Sequence, residues 1–380
     1  MPRRSASRAA STRATASPRT PKRRLSLVAI ALVAVVLVVA ALVGDRRTIK
    51  ADERIILFPT TAQLSGDGRA WEIPIHGWVF EPELDDALRR AALAALRKGL
   101  GLDDVAVQSP VLNRRLQAFV VDNQRGKRIT VEVAGVQQVL GPSDDDGHFE
   151  GLVRVETRQA KQSAKGDSLE VVAHAKAHPE GAFRGSVRLV GPTGVSVVSD
   201  IDDTIKVSQV ADKKALVRNT LVLPFRAAPG MPELYRQWAE RGVVFHYVSG
   251  SPWQLYEPLS QFIKDQRLPA SSLSLKSFRL KDASVLDLFA DPIRTKPPAL
   301  ERIFQAYPNH RFCLIGDSGE RDPEVYGLMA RRHPKQVACA YIRNVTDEDP
   351  DGPRFRDAFR ALEPSQWKVF TDPADLPFPK

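Results

Sequence analysis

Two aspartates that follow a run of apolar residues are the first groups in this sequence whose types and spacing could do chemistry. The apolar run leads directly into Ser-Asp-Ile-Asp-Asp-Thr at positions 199–204. Because side chains alternate across an extended strand, Asp200 and Asp202 would project to the same side of the strand end. Two adjacent carboxylates repel each other unless they share a cation or a proton. Taken alone, the pattern is also typical of a solvated turn.

Later strand ends supply the remaining groups for phosphoryl transfer. Ser249 ends a second apolar run. Asp317 and Asp322 follow a third, and Lys296 stands just before a helix-like stretch. An aspartate can act as a covalent nucleophile, carboxylate oxygens suit Mg²⁺, and a hydroxyl and an ammonium group can hold phosphoryl oxygens. The set predicts transfer of a phosphoryl group from an ester to a carboxylate.

The order of these motifs resembles the haloacid dehalogenase (HAD) superfamily of phosphohydrolases. Within it, the sequence resembles the catalytic domain of the actin-patch-associated phosphatidate phosphatases, which is related to the catalytic part of lipins. The likeness extends roughly over residues 190–375. The matching segments are 199–206, 218–220, 247–256, 278–282, 314–326 and 341–344. No motif position departs from the pattern, so nothing in the sequence indicates an inactive relative.

The resemblance implies a role for each matching residue. Asp200 would be the nucleophile that becomes phosphorylated. Asp202 would protonate the leaving oxygen and then activate water against the aspartyl-phosphate, and Thr204 would steady the loop that carries both. Ser249 and Lys296 would bind the phosphoryl group. The implied Mg²⁺ ligands are Asp200, Asp202, Asp317 and Asp322, the last directly or through water.

The fold predicted for residues 191–380 is α/β, with a HAD-like Rossmannoid parallel sheet and no large cap. Only 48 residues separate Asp200 from Ser249, and 46 separate Ser249 from Lys296. Since a strand–helix–strand crossover takes about 30 residues, little remains at either place for a separate lid domain. An uncapped site favours a bulky or surface-bound substrate over a small metabolite.

Residues 55–190 carry a different pattern, which predicts a smaller, β-rich, sandwich-like domain with one helical insertion. Strands are predicted where apolar and polar residues alternate, at 71–79, 129–133 and 151–155. An Ala/Leu-rich stretch at 84–98 predicts the helix. His76 and His148 look like isolated strand residues, and the sequence gives no reason to assign them chemistry.

The N-terminus contains two segments of unlike composition. Residues 1–24 hold eight Arg or Lys and no acid, and their polar, Pro-containing composition predicts a disordered tail. Residues 25–43 are apolar except for Ser26, long enough to cross a membrane as one helix, and 44–54 would be a linker. A cleaved signal peptide is the alternative, although its apolar run is usually shorter. The charge bias places the tail in the cytoplasm and the catalytic domain outside it.

Charge and cysteine content add two expectations. The net charge is +10, but residues outside the basic tail carry only +2, which argues against nucleic-acid binding. Cys313 and Cys339 both fall in apolar, strand-like runs, which favours buried free thiols. A disulfide between neighbouring strands is the alternative.

The function predicted from these features is an Mg²⁺-dependent phosphatidate phosphatase that works through an aspartyl-phosphate. Its partners would be a lipid phosphate and, through the N-terminal helix, the membrane. One alternative is a phosphomonoesterase for another large substrate, such as a phosphoprotein or a cell-envelope phosphate ester. Another is a non-catalytic phosphatidate sensor, which would not need the second, proton-shuttling carboxylate that Asp202 supplies.

Overall fold

The computed structural model describes residues 47–82, 90, 93–94, 97–98, 100, 108–278 and 295–379. The predicted basic tail and membrane helix lie outside these residues, as does most of the predicted helix at 84–98. Among the residues that are described, no helix is both long and apolar enough to cross a membrane.

The N-terminal half of the described chain is one mostly antiparallel sheet. Its strands are β1 (Arg54–Leu57), β2 (Thr60–Leu64), β3 (Ala70–Glu81), β4 (Asp122–Asn123), β5 (Ile129–Val133), β6 (Val136–Leu140), β7 (His148–Glu156), β8 (Ser168–His174) and β9 (Ala182–Val190). Two helices, α1 (Pro110–Gln117) and α2 (Thr157–Ser163), accompany them. The strand order is β1-β3-β2-β9-β8-β5-β6, and β4 and β7 also pair with β3.

This sheet curls back on itself around an apolar core. Strand β6 is the last strand in this order, and it also lies beside β7. Strand β7 pairs with β3, the second strand in the order. The two strands approach closely because Gly151 has no side chain: a Cβ there would lie 2.5 Å from Leu140 Cδ2. The expected sandwich-like domain is therefore one continuous curled sheet, with the strands predicted at 71–79, 129–133 and 151–155 inside β3, β5 and β7.

The C-terminal half is a parallel sheet flanked by helices. Its strands are β10 (Thr193–Ser199), β11 (Val244–Pro252), β12 (Ser272–Lys276), β13 (Asn309–Asp317), β14 (Val337–Arg343) and β15 (Trp367–Phe370). The helices are α3 (Lys213–Val217), α4 (Met231–Glu240), α5 (Tyr256–Asp265), α6 (Lys296–Ala306), α7 (Asp322–Arg332) and α8 (Pro353–Phe359). A π-helical turn spans Arg218–Val222, and short 3₁₀ turns span Trp253–Leu255, Pro364–Gln366 and Pro373–Asp375.

The strand order of this sheet is β12-β11-β10-β13-β14-β15, and neighbouring strands are parallel. The predicted α/β class with a parallel sheet is confirmed. The chain runs outward from β10 to one edge and then returns to build the other side from β13, which creates a crevice at the carboxyl ends of β10 and β13. Among the described residues, α6 packs on β11, and α7 packs on β13 and β14.

One of the buried apolar clusters extends across both halves. Phe58 and Trp78 of the β-rich half belong to the same buried cluster as Tyr247 and Trp253 of the parallel sheet. Arg115 of α1 adds polar contacts across the boundary, because its Nη1 donates to the carbonyl oxygens of Thr220 and Leu223, each at 2.8 Å. The β-rich half is therefore packed directly against the half that carries the predicted site.

Part of the predicted linker is fastened to the β-rich half. Glu53 is fully buried, and its Oε1 lies 2.5 Å from Lys127 Nζ. The same Nζ donates to the carbonyl oxygen of Thr48 at 2.8 Å, and the Arg128 amide donates to that of Arg47 at 2.9 Å. Removing one partner of a buried ion pair typically costs about 3–5 kcal/mol, so this segment is not a free tether.

Cys313 and Cys339 form a disulfide between β13 and β14. The two residues are opposite each other in the parallel register, with Cα atoms 4.5 Å apart. The prediction of buried free thiols is wrong. A separation of 26 residues along the chain does not show which strand positions face each other, and only the register between neighbouring strands decides the pairing.

Candidate active site

The predicted site residues converge at the crevice of the parallel sheet. Asp200 and Asp202 follow β10, Ser249 lies near the end of β11, and Asp317 ends β13. Lys296 is the first residue of α6. All five are buried. The strand ends bring together residues that are up to 117 positions apart, as expected where the carboxyl ends of parallel strands meet.

Lys296 is surrounded by carboxylates. Its Nζ lies 2.9 Å from Asp200 Oδ1, 3.0 Å from Glu320 Oε2 and 2.5 Å from Asp322 Oδ1. Burial alone would lower the pKa of Lys296, but the negative charges of these three side chains reverse that effect and raise it. The side chain is therefore held as a cation, the form that can offset negative charge on a phosphoryl group.

Asp200, Asp317 and Asp322 form a buried group of carboxylates that fits a divalent cation. Each can present an oxygen so that the three lie within 4.8 Å of one another. Both oxygens of Asp200 and Oδ2 of Asp317 accept no hydrogen bond from the described residues, and the contact of Lys296 with Asp200 is an ion pair without hydrogen-bond geometry. Carboxylate oxygens that accept no hydrogen bond are available as hard ligands for Mg²⁺.

The pKa shifts of these carboxylates also favour a bound cation. Burial raises the pKa of Asp200 and of Asp317 well above the usual value, and the neighbouring carboxylates raise both further, although Lys296 acts in the opposite direction. Several buried acids in contact cannot all ionise cheaply without a cation. A bound Mg²⁺ would remove that penalty and stabilise the ionised forms, so the residues present fit the ion.

The Asp202 carboxylate faces a different set of partners. Its Oδ1 lies 2.6 Å from Lys206 Nζ and accepts a hydrogen bond from Ser208 Oγ at 2.7 Å. Its Oδ2 accepts from Ser249 Oγ at 3.1 Å and from Ser251 Oγ at 3.0 Å. Burial raises the pKa of Asp202, but Lys206 and the hydroxyl donors outweigh burial and lower it to about 2. This side chain lies outside the group of three carboxylates, and its role as a metal ligand stays a prediction.

The loop after β10 is held mainly by Asp203. This residue has a left-handed φ of 51°, and its carboxylate accepts hydrogen bonds from the amides of Ser208, Gln209 and Val210 at 2.6–2.9 Å. Thr204 is fully buried in the loop, but its hydroxyl has no hydrogen-bond partner among the described residues. Any steadying effect of Thr204 here therefore comes from packing.

The acidic loop, residues 317–322, is shaped by two of its own carboxylates. Asp317 Oδ1 accepts hydrogen bonds from the amides of Gly319 and Glu320, at 2.7 and 3.0 Å, and Asp322 Oδ2 accepts from the Asp317 amide at 3.2 Å. Gly316 is needed for this approach, because a Cβ there would lie 2.2 Å from Asp322 Oδ2.

Arg354 of α8 fastens the acidic loop from outside. It donates to the carbonyl oxygens of Ser318 and Glu320, each at 2.6 Å. It also pairs with Glu324 at 3.0 Å and with Glu348 at 2.7 Å. The planar guanidinium can satisfy several acceptors at once, which a lysine cannot do with the same geometry.

Sequence reasoning missed several residues of this site: Asp203, Lys206, Ser208, Ser251, Glu320 and Arg354. Asp203, Lys206, Ser251 and Glu320 lie inside the recognised motif segments, so their charge or hydroxyl was a usable signal. Arg354 lies beyond those segments, and no local pattern connects it with the acidic loop.

His76 and His148 are not isolated strand residues, which corrects the expectation from sequence. Nε2 of His76 lies 3.0 Å from Nδ1 of His148, a distance at which one ring nitrogen donates to the other. Burial, followed by the neighbouring His148, lowers the pKa of His76 to about 3, and burial lowers that of His148 to about 4. The neutral pair packs against Phe58 and Trp253, close behind the Ser249 loop.

Comparison with known proteins supports the family resemblance that was inferred from the motifs. Residues 195–344 match the family described as phosphatidate phosphatase APP1, catalytic domain. That range contains all the residues predicted for the site. The predicted resemblance is confirmed.

Two curated relatives are similar to larger parts of the chain. Phosphatidate phosphatase APP1 of Saccharomyces cerevisiae is 28% identical over 255 residues, which are 65% of this chain and 43% of the relative. An uncharacterized protein of Schizosaccharomyces pombe is 31% identical over 172 residues, 44% of this chain and 28% of the relative. The chain thus matches less than half the length of either relative.

Solved structures give only distant likenesses. The Pnkp1/Rnl/Hen1 complex is 16% identical, with coverage of 41% of this chain and 47% of that one and a TM-score of 0.29. Phosphoserine phosphatase in its apo form is 13% identical, with coverage of 40% and 86% and a TM-score of 0.27. A putative beta-phosphoglucomutase from Thermotoga maritima is 11% identical, with coverage of 47% and 94% and a TM-score of 0.29. Such low TM-scores carry no argument about function.

Proposed function

We propose that this protein is an Mg²⁺-dependent phosphatase that hydrolyses phosphatidate or a related lipid phosphomonoester to diacylglycerol and inorganic phosphate. The main support is Asp200, a buried carboxylate that accepts no hydrogen bond from the described residues and lies beside Lys296 and two further acids. The lipid substrate is inferred from the match of residues 195–344 to the APP1 catalytic domain.

The first half of the proposed reaction transfers the phosphoryl group to the protein. A carboxylate oxygen of Asp200 attacks phosphorus, and the bond from phosphorus to the ester oxygen breaks as the new bond forms. Lys296 offsets the negative charge of the phosphoryl oxygens, and the Ser249 hydroxyl can donate to one of them. Asp200, Asp317 and Asp322 would hold the Mg²⁺, which would supply further positive charge at these oxygens when bound.

Asp202 moves the protons in both halves of the reaction. It gives a proton to the leaving oxygen, and then takes a proton from the water that cleaves the aspartyl-phosphate and restores Asp200. The pKa of about 2 means that Asp202 is ionised in the substrate-free protein. The negative charge of a bound phosphate raises the pKa of a nearby carboxylate, which would let Asp202 take up the first proton as the substrate binds.

The test is phosphate release by the full-length protein, purified in detergent and assayed with Mg²⁺. Substrates would be phosphatidate, a phosphoserine peptide and a phosphorylated envelope saccharide, and Asp200→Asn serves as the inactive control. We expect the highest kcat/KM with phosphatidate. Faster release from the peptide or the saccharide would support the alternative phosphomonoesterase. Binding of phosphatidate without phosphate release from any substrate would support the sensor.

We further propose that residues 25–43 anchor the protein once in a membrane, with residues 55–380 on the extracytoplasmic side. The support is the apolar length of that segment and the eight positive charges that precede it. The disulfide between Cys313 and Cys339 agrees with an oxidising compartment outside the cytoplasm.

A further inference from the structure

We propose that the non-phosphate part of the substrate occupies a cleft between the β-rich half and the parallel sheet, and that the β-rich half thereby selects amphiphilic phosphomonoesters. We call this space the interdomain cleft. Its volume is about 860 Å³, and its lining includes Val248 and Ser249. The Ser249 hydroxyl donates to Asp202, so the cleft adjoins the catalytic carboxylates directly. This inference rests on the proposed phosphatase function and specifies its substrate class.

One wall of the interdomain cleft is a face of α6. This helix begins at Lys296, whose side chain contacts Asp200. Further along it, Ala299, Ile303 and Ala306 line the cleft. Residues three or four positions apart share one helix face, so the face that carries Lys296 continues to Ala306, about 15 Å along the helix. A molecule whose phosphate is held near Lys296 can therefore continue along α6.

The opposite wall belongs to the β-rich half and is partly apolar. Pro74 of β3 and Leu152 of β7 are partners in the antiparallel register, and both line the cleft. Leu152 is 49% exposed and, with Val139, is one of two large hydrophobic side chains that are exposed among the described residues. An exposed leucine in a cleft that opens from a catalytic site is expected to contact an apolar part of a ligand.

Polar side chains are interspersed along the same cleft. Thr60, Ser274 and Arg302 all line it and offer hydrogen-bond donors between the apolar surfaces. This mixture suits the ester oxygens and the proximal acyl carbons of a lipid phosphate better than it suits a purely apolar or a purely ionic ligand. The volume lies near the upper end of the range for small-molecule sites, which is about 300–1,000 Å³, so a small phosphorylated metabolite would leave much of the cleft unfilled.

The test compares a lipid substrate with a small one in the full-length protein. Leu152→Arg places charge and bulk in the cleft, on a strand that carries none of the proposed catalytic residues. The substrates are dioctanoyl phosphatidate, used below its critical micelle concentration, and p-nitrophenyl phosphate. We expect kcat/KM to fall about tenfold or more for phosphatidate and to change less than about twofold for p-nitrophenyl phosphate.

Val139→Arg is the matched control, because Val139 is also an exposed apolar residue of the β-rich half but does not line the cleft. It should leave both kcat/KM values unchanged. If Leu152→Arg lowers the melting temperature, Leu152→Ser replaces it, with an expected loss of about threefold for phosphatidate alone.

The possible failures are distinguishable. If the wild type hydrolyses phosphatidate and Leu152→Arg does so equally well, the cleft proposal is overturned while the proposed function stands. A parallel loss for both substrates by stably folded variants would also overturn it, since the β-rich half would then act on the site as a whole. If the wild type hydrolyses p-nitrophenyl phosphate but not phosphatidate, the proposed function fails.

Discussion

The carboxylate of Asp200 is buried, and its oxygens accept no hydrogen bond from the described residues. The Asp202 carboxylate, two positions later, has three hydroxyl donors and an ion pair with Lys206. At the scale of single residues, the two acids therefore have opposite environments. In the proposed reaction, Asp200 is available to bind a cation and attack phosphorus, while Asp202 is held in place for proton transfer.

Substitutions of these two acids should have different consequences. Asp200→Asn should lower turnover below about one per cent of wild type, because the covalent nucleophile is lost, and no phosphorylated protein should form. Asp202→Asn should slow cleavage of the aspartyl-phosphate, so the phosphorylated protein should accumulate. Quenched-flow measurement of protein-bound phosphate separates the two. Phosphorylated protein in the Asp200→Asn variant would show that the nucleophile is elsewhere.

Asp317 should affect the metal more than the substrate. Asp317→Asn keeps an oxygen for the amides of Gly319 and Glu320 but loses the charge that a divalent cation requires. We expect the half-saturating Mg²⁺ concentration to rise at least about tenfold, with KM for substrate little changed. The rise in melting temperature on adding Mg²⁺ should also weaken, which is a readout independent of activity. Unchanged Mg²⁺ responses in both measurements would place the ligand elsewhere.

At the scale of elements, the site depends on two loops that are held by side chains beyond the predicted catalytic residues. Asp203 caps the loop after β10, and Arg354 of α8 binds two carbonyl oxygens of the acidic loop after β13. Among the described residues, Arg354 forms no hydrogen bond or ion pair with Lys296 or with the three carboxylates. We infer that it acts as a positioning residue.

Removal of Arg354 should loosen the acidic loop. Arg354→Met should raise the half-saturating Mg²⁺ concentration about tenfold, a typical cost of losing a group that orients metal ligands, and Arg354→Lys should recover only part of it. Arg356→Met, which changes an exposed arginine of the same helix, is the control and should behave as wild type. A loss in thermal stability without any change in the Mg²⁺ titration would mean that Arg354 only stabilises the fold.

At the scale of the whole molecule, the β-rich half packs directly against the half that carries the candidate active site. The two halves share one apolar cluster, and Phe58 and the His76–His148 pair pack against Trp253, four residues after Ser249. The side chains that form the far wall of the interdomain cleft come from this half. If the cleft binds substrate as proposed, substrate choice depends on residues that lie more than 40 positions before Asp200.

The proposed anchoring gives a prediction about topology. If residues 25–43 span the membrane with the basic tail in the cytoplasm, protease added to intact cells or spheroplasts should digest a C-terminal tag and spare an N-terminal one. Opening the membrane with detergent should expose both tags, which is the control for protease access. A C-terminal tag that is protected until detergent is added would reverse the orientation, and the site would then meet lipids of the cytoplasmic leaflet.

The sequence by itself was enough to predict the parallel α/β sheet and the group of residues at its crevice. Each candidate site residue follows an apolar run or begins a helix. Local patterns therefore predict both the strand or helix and the end of it at which the residue lies. Asp200, Asp202, Ser249, Lys296 and Asp317 could therefore be named as candidate site residues before the fold was known. Their convergence then follows from the parallel direction of the strands.

Only the tertiary structure decided which residues distant in the sequence contact each other. His76 and His148 are 72 residues apart, and Cys313 and Cys339 are 26 apart, yet each pair is brought together by strand register. Arg354 reaches the acidic loop from a helix that no motif includes, and the interdomain cleft exists because a curled sheet packs beside α6 and β12. Such contacts depend on how whole elements pack, since neither residue of a pair carries a local signal for its distant partner.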